Sequence, residues 1–235
     1  MPTKEELERA APRDRGGEVH LRSAPQLREY EAAADRIAAD RPGRLLDWGC
    51  GYGQMSHLLK ARRIDVTSIE WHPDAPPEGE VVRSERFPDV ELTRTPEPVK
   101  LPYDDGSFDA VLSMGVLEHV HSPEGSLDEL HRVLRPRGRL YVYKLPNERS
   151  YLERIAKRAG FYYHGQLEND RLYTLDSARR IVEEHGFRVE ELRLANMLPL
   201  SLTGEAGERL APAIWSANRA LARVPGLNRF ATNVE

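Results

Sequence analysis

Cysteine is almost missing from this chain: Cys50 stands alone among 235 residues, so neither an internal disulfide framework nor a Cys-rich zinc site can form. A reducing compartment suits that usage, and the cytoplasm is the expected location. Long apolar runs are missing too. Nothing approaches the ~18 to 20 residues that a membrane span requires, and the opening stretch MPTKEELERAAPRDRGGEVH has no apolar signal core. Excess positive charge is also lacking: 34 basic against 38 acidic residues give a formal net charge of -4. No general attraction to nucleic acid or to an anionic membrane is implied, and no membrane insertion is expected. The histidines never fall at a metal-ligand spacing such as H-E-x-x-H, so no metal site is expected.

What is present bounds the fold. With 40% apolar and 31% charged residues, the chain can bury one substantial core, which predicts a single domain over residues 26–235. Residues 1–25, charged and carrying Gly16-Gly17, read as an N-terminal arm. Residues 26–39 (QLREYEAAADRIAA) place Leu27, Tyr30, Ala34 and Ile37 at helical spacing before Pro42-Gly43 stops the run. RLLDW (44–48) reads as a strand entering a glycine cluster, residues 54–63 as a helix, and DVTSIE (65–70) as a second, parallel strand. Further strands are predicted at 90–95, 108–113, 139–145 and 187–194, with helices before Pro136 and between Thr174 and Gly186. The proline-rich stretch from Pro73 to Pro98 reads as loop. Alternating β and α elements predict a doubly wound α/β fold with a mostly parallel sheet.

The chemistry gathers around LLDWGCGYG (45–53), where Gly49, Gly51 and Gly53 alternate directly after a strand. Glycine there permits φ > 0 and lets a ligand lie against the backbone at the carboxyl edge of the sheet. Asp47 ends the first strand, and a carboxylate beside a ligand needs a cation or hydrogen-bond donors to offset its desolvation. Glu70 ends the second strand, where an acid can accept from both hydroxyls of a ribose. An adenosine bearing a positive group satisfies both acids. The dinucleotide fingerprint G-x-G-x-x-G would require glycine at position 54, where Gln54 stands.

LLDWGCGYG, Glu70, LPYDDGSFDAVLSMGVLEHV (101–120) and HRVLRPRGRLYVYK (131–144) together resemble the class I S-adenosylmethionine-dependent methyltransferases over roughly residues 40–195. The resemblance implies a Rossmann-like, seven-stranded sheet whose last, antiparallel strand must come from FATNVE (230–235). It implies S-adenosylmethionine as cofactor, with S-adenosylhomocysteine as product. Asp47, Gly49, Cys50, Gly51 and Gly53 would lie against the amino acid part of the cofactor, Glu70 would hold the ribose, and Trp71 and Glu97 would flank the adenine. Met114 and His119 would also contact the cofactor, and His119, in the segment near the methyl-transfer site, is the candidate catalytic residue, either as a base or as a group that orients its loop. Cys50 reads as a small packed residue rather than a nucleophile.

Two additions carry the expected specificity. Residues 147–173, inserted after strand five, would cap the active-site mouth, with Tyr162, Tyr163 and His164 as candidate pocket residues or as packing. Residues 196–228, with a helix over 211–223, could cap the pocket or bury themselves in a second copy, which leaves a homodimer open. The implied activity is methylation of an oxygen or nitrogen of a small-molecule substrate. Nucleic acid bases fit less well, because SMGV (113–116) replaces the D/N-P-P-Y type motif. A nicotinamide-dependent oxidoreductase and a catalytically silent adenosylmethionine-binding subunit are the alternatives.

Overall fold

A computed structural model describes residues 22–160 and 169–235. The fold is built around β1 (Arg44–Trp48), whose last four residues are buried. It pairs in parallel with β2 (Asp65–Trp71) on one side and β5 (Phe108–Met114) on the other. Burial on both faces is what an apolar run without alternation provides. Beyond β2 lie β4 (Glu91–Thr95), parallel, and β3 (Glu80–Arg83), antiparallel at the edge. Beyond β5 lies β6 (Leu134–Tyr143), parallel, so the sheet order is β3-β4-β2-β1-β5-β6.

Helices cover both faces. On one face, α1 (Ala24–Ala39) and α2 (Gln54–Lys60) bury Tyr30, Ile37, Met55, Leu58 and Leu59 against Leu45, Val66 and Leu112. Ser23 caps α1 by accepting from Gln26 N at 3.4 Å, and Pro25 lies in its first turn. On the other face, α3 (Pro123–Val133) and α5 (Leu175–Glu184) close over Leu46, Ile69 and Val111. Thr174 and Ser177 form a reciprocal capping box at the start of α5, and Gly186, at φ 85°, follows its end as expected. A helix α4 (Tyr151–Ala159) stands in the insertion after β6, and α6 (Gly204–Leu221) packs along α1.

The doubly wound, mostly parallel architecture is as expected, with three corrections. The main sheet has six strands rather than seven. Lys144, at φ 68°, breaks the ladder after β6, and its ammonium is held 3.3 Å from Glu29 on α1. Past that break the chain starts a separate small sheet, in which β9 (Asn233–Val234), drawn from FATNVE, lies antiparallel between β7 (Leu145–Pro146) and β8 (Leu194–Ala195). Second, of the strand expected over 187–194 only Leu194 is in β8; Arg193 exchanges backbone hydrogen bonds with Glu235 at 2.7 and 2.8 Å, while Phe187 and Leu192 pack at the margin of the core without joining a strand. Third, β3 lies in the stretch read as loop. As an exposed edge strand it buries no face, so EVVR carries none of the alternation that marks a strand.

Candidate functional site

The chain order reverses at β1: β2 and β4 lie to one side of it, β5 and β6 to the other. At such a switch point the loops leaving the carboxyl ends of the two central strands diverge and open a crevice. The loop after β1 is held at its root by two amides, Gly49 N and Cys50 N, which donate to Ile69 O at 2.9 and 3.0 Å. Gly49, Gly51 and Gly53 all adopt left-handed φ, at 69°, 53° and 83°. Their surroundings differ. A Cβ on Gly49 would stand 2.6 Å from both methyls of Val116, and one on Gly53 would stand 2.7 Å from Val90 Cγ1. A Cβ on Gly51 would meet nothing within 4 Å. Gly49 and Gly53 therefore seat the loop, while Gly51 holds its backbone toward open space.

Two carboxylates stand beside that loop. Asp47 is 2% exposed; its Oδ2 accepts from Ser56 Oγ at 2.6 Å, and Ser56 Oγ lies 2.7 Å from Ser68 Oγ. A hydroxyl has one proton to give, so Ser56 donates to the carboxylate and accepts from Ser68. Burial outweighs that help and pushes the Asp47 carboxyl up to about 6, with the neighbouring charge of Glu70 adding to the rise. Glu70 accepts the amide of Gly51, and burial raises its carboxyl as well. Two acids crowded beside a left-handed turn make a pocket wall that favours a cation with hydrogen-bond donors. Burial and the two acids lift the Cys50 thiol well above its ordinary value. The thiol stays protonated, which suits packing and not nucleophilic attack.

The opposite wall is the loop after β5. Met114 is half-buried and packs on the α1 side of the sheet. Gly115, at φ 69°, donates its amide to Tyr143 O at 3.0 Å and so ties the loop to the end of β6. Glu118 is buried, and His119 is partly exposed, with Nδ1 2.9 Å from Asp170 Oδ1 and Nε2 3.8 Å from Glu118 Oε1. Arg171 fastens this loop to the end of the insertion. Its amide donates to Glu118 O at 3.0 Å, and its guanidinium donates to Val120 O and, at 3.1 Å, to His121 O.

The other expected residues fall as follows. Trp71 is exposed and donates from Nε1 to Pro96 O at 3.1 Å, which joins the end of β2 to the loop after β4. Glu97, in that loop, is exposed, and its amide donates to Thr95 Oγ1 at 3.2 Å. Asp47, the glycine loop, Glu70 and Trp71 are thus contiguous along one edge, and the His119 loop faces them across β1 and β5. Tyr162, Tyr163 and His164 lie outside the described residues. The arginines around the turn at 135–138 are engaged in ion pairs: Arg132 with Glu129 and Asp105, Arg135 with Asp109, Arg139 with Asp40. Sequence reasoning missed Ser56, Asp170 and Arg171. Ser56 had a readable signal, a polar residue among the buried positions of a short helix; the other two had none.

A family model described as a methyltransferase domain matches residues 20–192. Over 112 residues the chain is 38% identical to a demethylmenaquinone methyltransferase from Beutenbergia cavernae, covering 47% of this chain and 44% of that protein. Over 133 residues it is 31% identical to a ubiquinone biosynthesis O-methyltransferase from Xanthomonas oryzae, covering 54% and 52%. The chain spans about half the length of these curated relatives. A crystal structure of an S-adenosylmethionine-dependent methyltransferase from Thermotoga maritima shares the fold, with a TM-score of 0.55 at 20% identity over 80% of this chain and 82% of that one. Among the described residues, no helix is long and apolar enough to cross a membrane. A match over most of the chain, on a doubly wound sheet whose switch point carries the acid and glycine loop, fixes the family: the chain belongs to the class I S-adenosylmethionine-dependent methyltransferases.

Proposed function

We propose that the protein transfers a methyl group from S-adenosylmethionine to an oxygen or nitrogen of a small-molecule acceptor. The observation that carries this reading is the pair of acids, buried Asp47 and half-buried Glu70, at the ends of adjacent strands beside the open left-handed turn at Gly51. These residues fit the cofactor. Asp47 supplies the anionic wall for its cationic amino acid end, Glu70 two acceptor oxygens for a ribose, and Gly51 a backbone with room against it. Trp71 and Glu97 would flank the base. When bound, the cofactor supplies an electrophilic methyl carbon, and the chain's own task is to hold the acceptor in line and to exclude water. The names of the matched relatives favour a quinone-precursor-like ring as acceptor. Their activities belong to proteins of which this chain covers only half.

Calorimetric titration with S-adenosylmethionine, S-adenosylhomocysteine and NADH in parallel tests the cofactor assignment. Saturable binding of the first two and none of the third is expected; binding of NADH alone would overturn it. Turnover on a panel of phenolic, amine and quinol acceptors then separates an enzyme from a silent binding subunit. Within the same assay, Glu70→Ala should weaken cofactor binding about 10- to 100-fold, the range for losing charge-assisted hydrogen bonds worth roughly 1.5–3 kcal/mol. Wild-type affinity in a folded Glu70→Ala variant would remove Glu70 from the site.

A further inference from the structure

We propose that the turn after α6, together with α4, docks the protein on an anionic phospholipid bilayer, with Val224 and Leu227 entering the headgroup layer and Arg219, Arg223 and Arg229 meeting its phosphates. The inference goes beyond the methyl-transfer reading and does not depend on it, since it uses none of the residues assigned to the cofactor.

The net charge of -4 conceals an uneven distribution. Between Glu208 and Glu235 the chain carries Arg209, Arg219, Arg223 and Arg229 and no acidic residue. Arg209 pairs with Glu205 at 3.3 Å. Among the described residues no acid pairs with the other three, which are exposed, whereas Arg132, Arg135 and Arg139 are each ion-paired. Two of the three rest on aromatic rings: the guanidinium of Arg219 lies 4.6 Å from the ring centre of Trp215, and that of Arg229 lies 4.7 Å from the ring centre of Phe230. Stacking engages the flat face of a guanidinium and leaves its N–H edge for a phosphate.

Apolar side chains stand among these arginines. Past the end of α6 the Asn228 amide donates to Val224 O at 3.1 Å, and Gly226 takes φ 82°. This one tight turn exposes both Val224 and Leu227. α4 lies alongside. Shortly before it, the side-chain amide of Asn147 donates to Arg229 O at 2.9 Å and to Ala231 O at 2.7 Å, and within it Tyr151 Oη donates to Met197 O at 2.5 Å. α4 buries no residue; Ile155 is 54% exposed, with exposed Arg154 beside it and exposed Arg158 one turn on.

Shape and charge decide the occupant. A stable protein partner covers about 800 Å² on each side, and a tight turn beside one short helix presents little of that. An anionic bilayer needs only shallow apolar insertion combined with basic residues at the level of the phosphates. α4 begins shortly past the carboxyl end of β6, the edge of the sheet that carries the glycine loop.

The test is co-sedimentation of the full chain with phosphatidylcholine vesicles, with and without phosphatidylglycerol. Binding is expected to the mixed vesicles only. It should weaken from about 0.15 M to about 1 M salt, as the screening length falls from about 8 Å to about 3 Å. Arg219→Gln/Arg223→Gln/Arg229→Gln should weaken it on the order of a hundredfold, at about fivefold for each basic residue lost from an anionic surface. Val224→Ser/Leu227→Ser should weaken it about tenfold and leave the salt dependence in place. Failure of the wild type to bind mixed vesicles, equal binding to phosphatidylcholine alone, or full binding by either variant would overturn the proposal. A concentration-dependent dimer that both variants abolish, without vesicle binding, would give the surface to a second copy instead. Both variants change exposed side chains, so their affinity for S-adenosylmethionine, measured by calorimetry on the same samples, should match the wild type. Failure of the wild type to bind that cofactor would refute methyl transfer and leave the docking result standing.

Discussion

Asp47→Asn should melt about 4–8 °C higher than the wild type at pH 7 without ligand, and should bind S-adenosylmethionine at least tenfold more weakly. The cause is the carboxyl of Asp47, which burial lifts to about 6 from an ordinary 3.8. The folded state holds this proton more tightly than the unfolded chain. The stability that goes with the protonated acid is therefore complete below about pH 4 and is lost as pH rises through 6. At pH 7 the ionised group destabilises the ligand-free fold by about 3 kcal/mol, at roughly 1.4 kcal/mol for each tenfold change in proton affinity between the two states. Asparagine removes the charge and keeps an oxygen for Ser56 Oγ, at a cost of about 1 kcal/mol for the amide protons it buries. A net gain of about 2 kcal/mol corresponds to that rise in melting temperature for a chain of this size.

The same variant loses the anion that a cationic ligand needs, so stability and binding should move in opposite directions. pH gives a second signature. Near pH 4.5 the folded wild type already carries a protonated Asp47, so the gap in melting temperature should nearly close. Wild-type cofactor affinity should fall as pH drops below about 6, since binding must then expel the proton. A variant that is less stable at pH 7 by the same margin as at pH 4.5 would show that Asp47 is structural and that its charge is not held for a ligand.

Much of this site is legible in the sequence because it is local. The run from Arg44 to Trp71 contains a strand, a glycine turn, a helix and a second strand, and each announces itself within a few residues. Asp47 and Glu70 then follow from their places at strand ends. What the sequence conceals is made by distant pairs. Asp170 lies 51 positions beyond His119, in a stretch with no periodicity, and only the folded insertion brings the two together. Lys144 is equally silent. Nothing in VYKLP marks a left-handed residue, yet the turn there, with the pairing to Glu29, splits the expected seventh strand from the main sheet. The arginines at 132, 135 and 139 stand close together in the sequence, and of their acidic partners only Glu129 is local; Asp105, Asp109 and Asp40 come from separate segments of the chain.

Gly51→Ala and Gly49→Ala should separate the two roles of the glycine loop. Both positions are left-handed, and alanine costs roughly 1–2 kcal/mol there from backbone sterics alone. At Gly49 the added methyl would also stand 2.6 Å from both Val116 methyls, and overpacking of this kind costs about 1–3 kcal/mol more. Gly49→Ala should therefore melt lower than Gly51→Ala by about 2–12 °C, and Val116→Ala should recover part of that loss by making room. Gly51 is the reverse case. Its added methyl would meet no protein atom within 4 Å, so stability should fall only by the cost of the backbone conformation. If the space over Gly51 belongs to the cofactor, that methyl occupies it, and S-adenosylmethionine binding should fall by tenfold or more in a protein that remains folded. Near-wild-type affinity in Gly51→Ala would mean that no ligand approaches the loop there, and the cofactor would have to be placed elsewhere along the edge. Because the two glycines are two residues apart and share a backbone conformation, a difference in binding larger than the difference in stability can come only from what lies over Gly51.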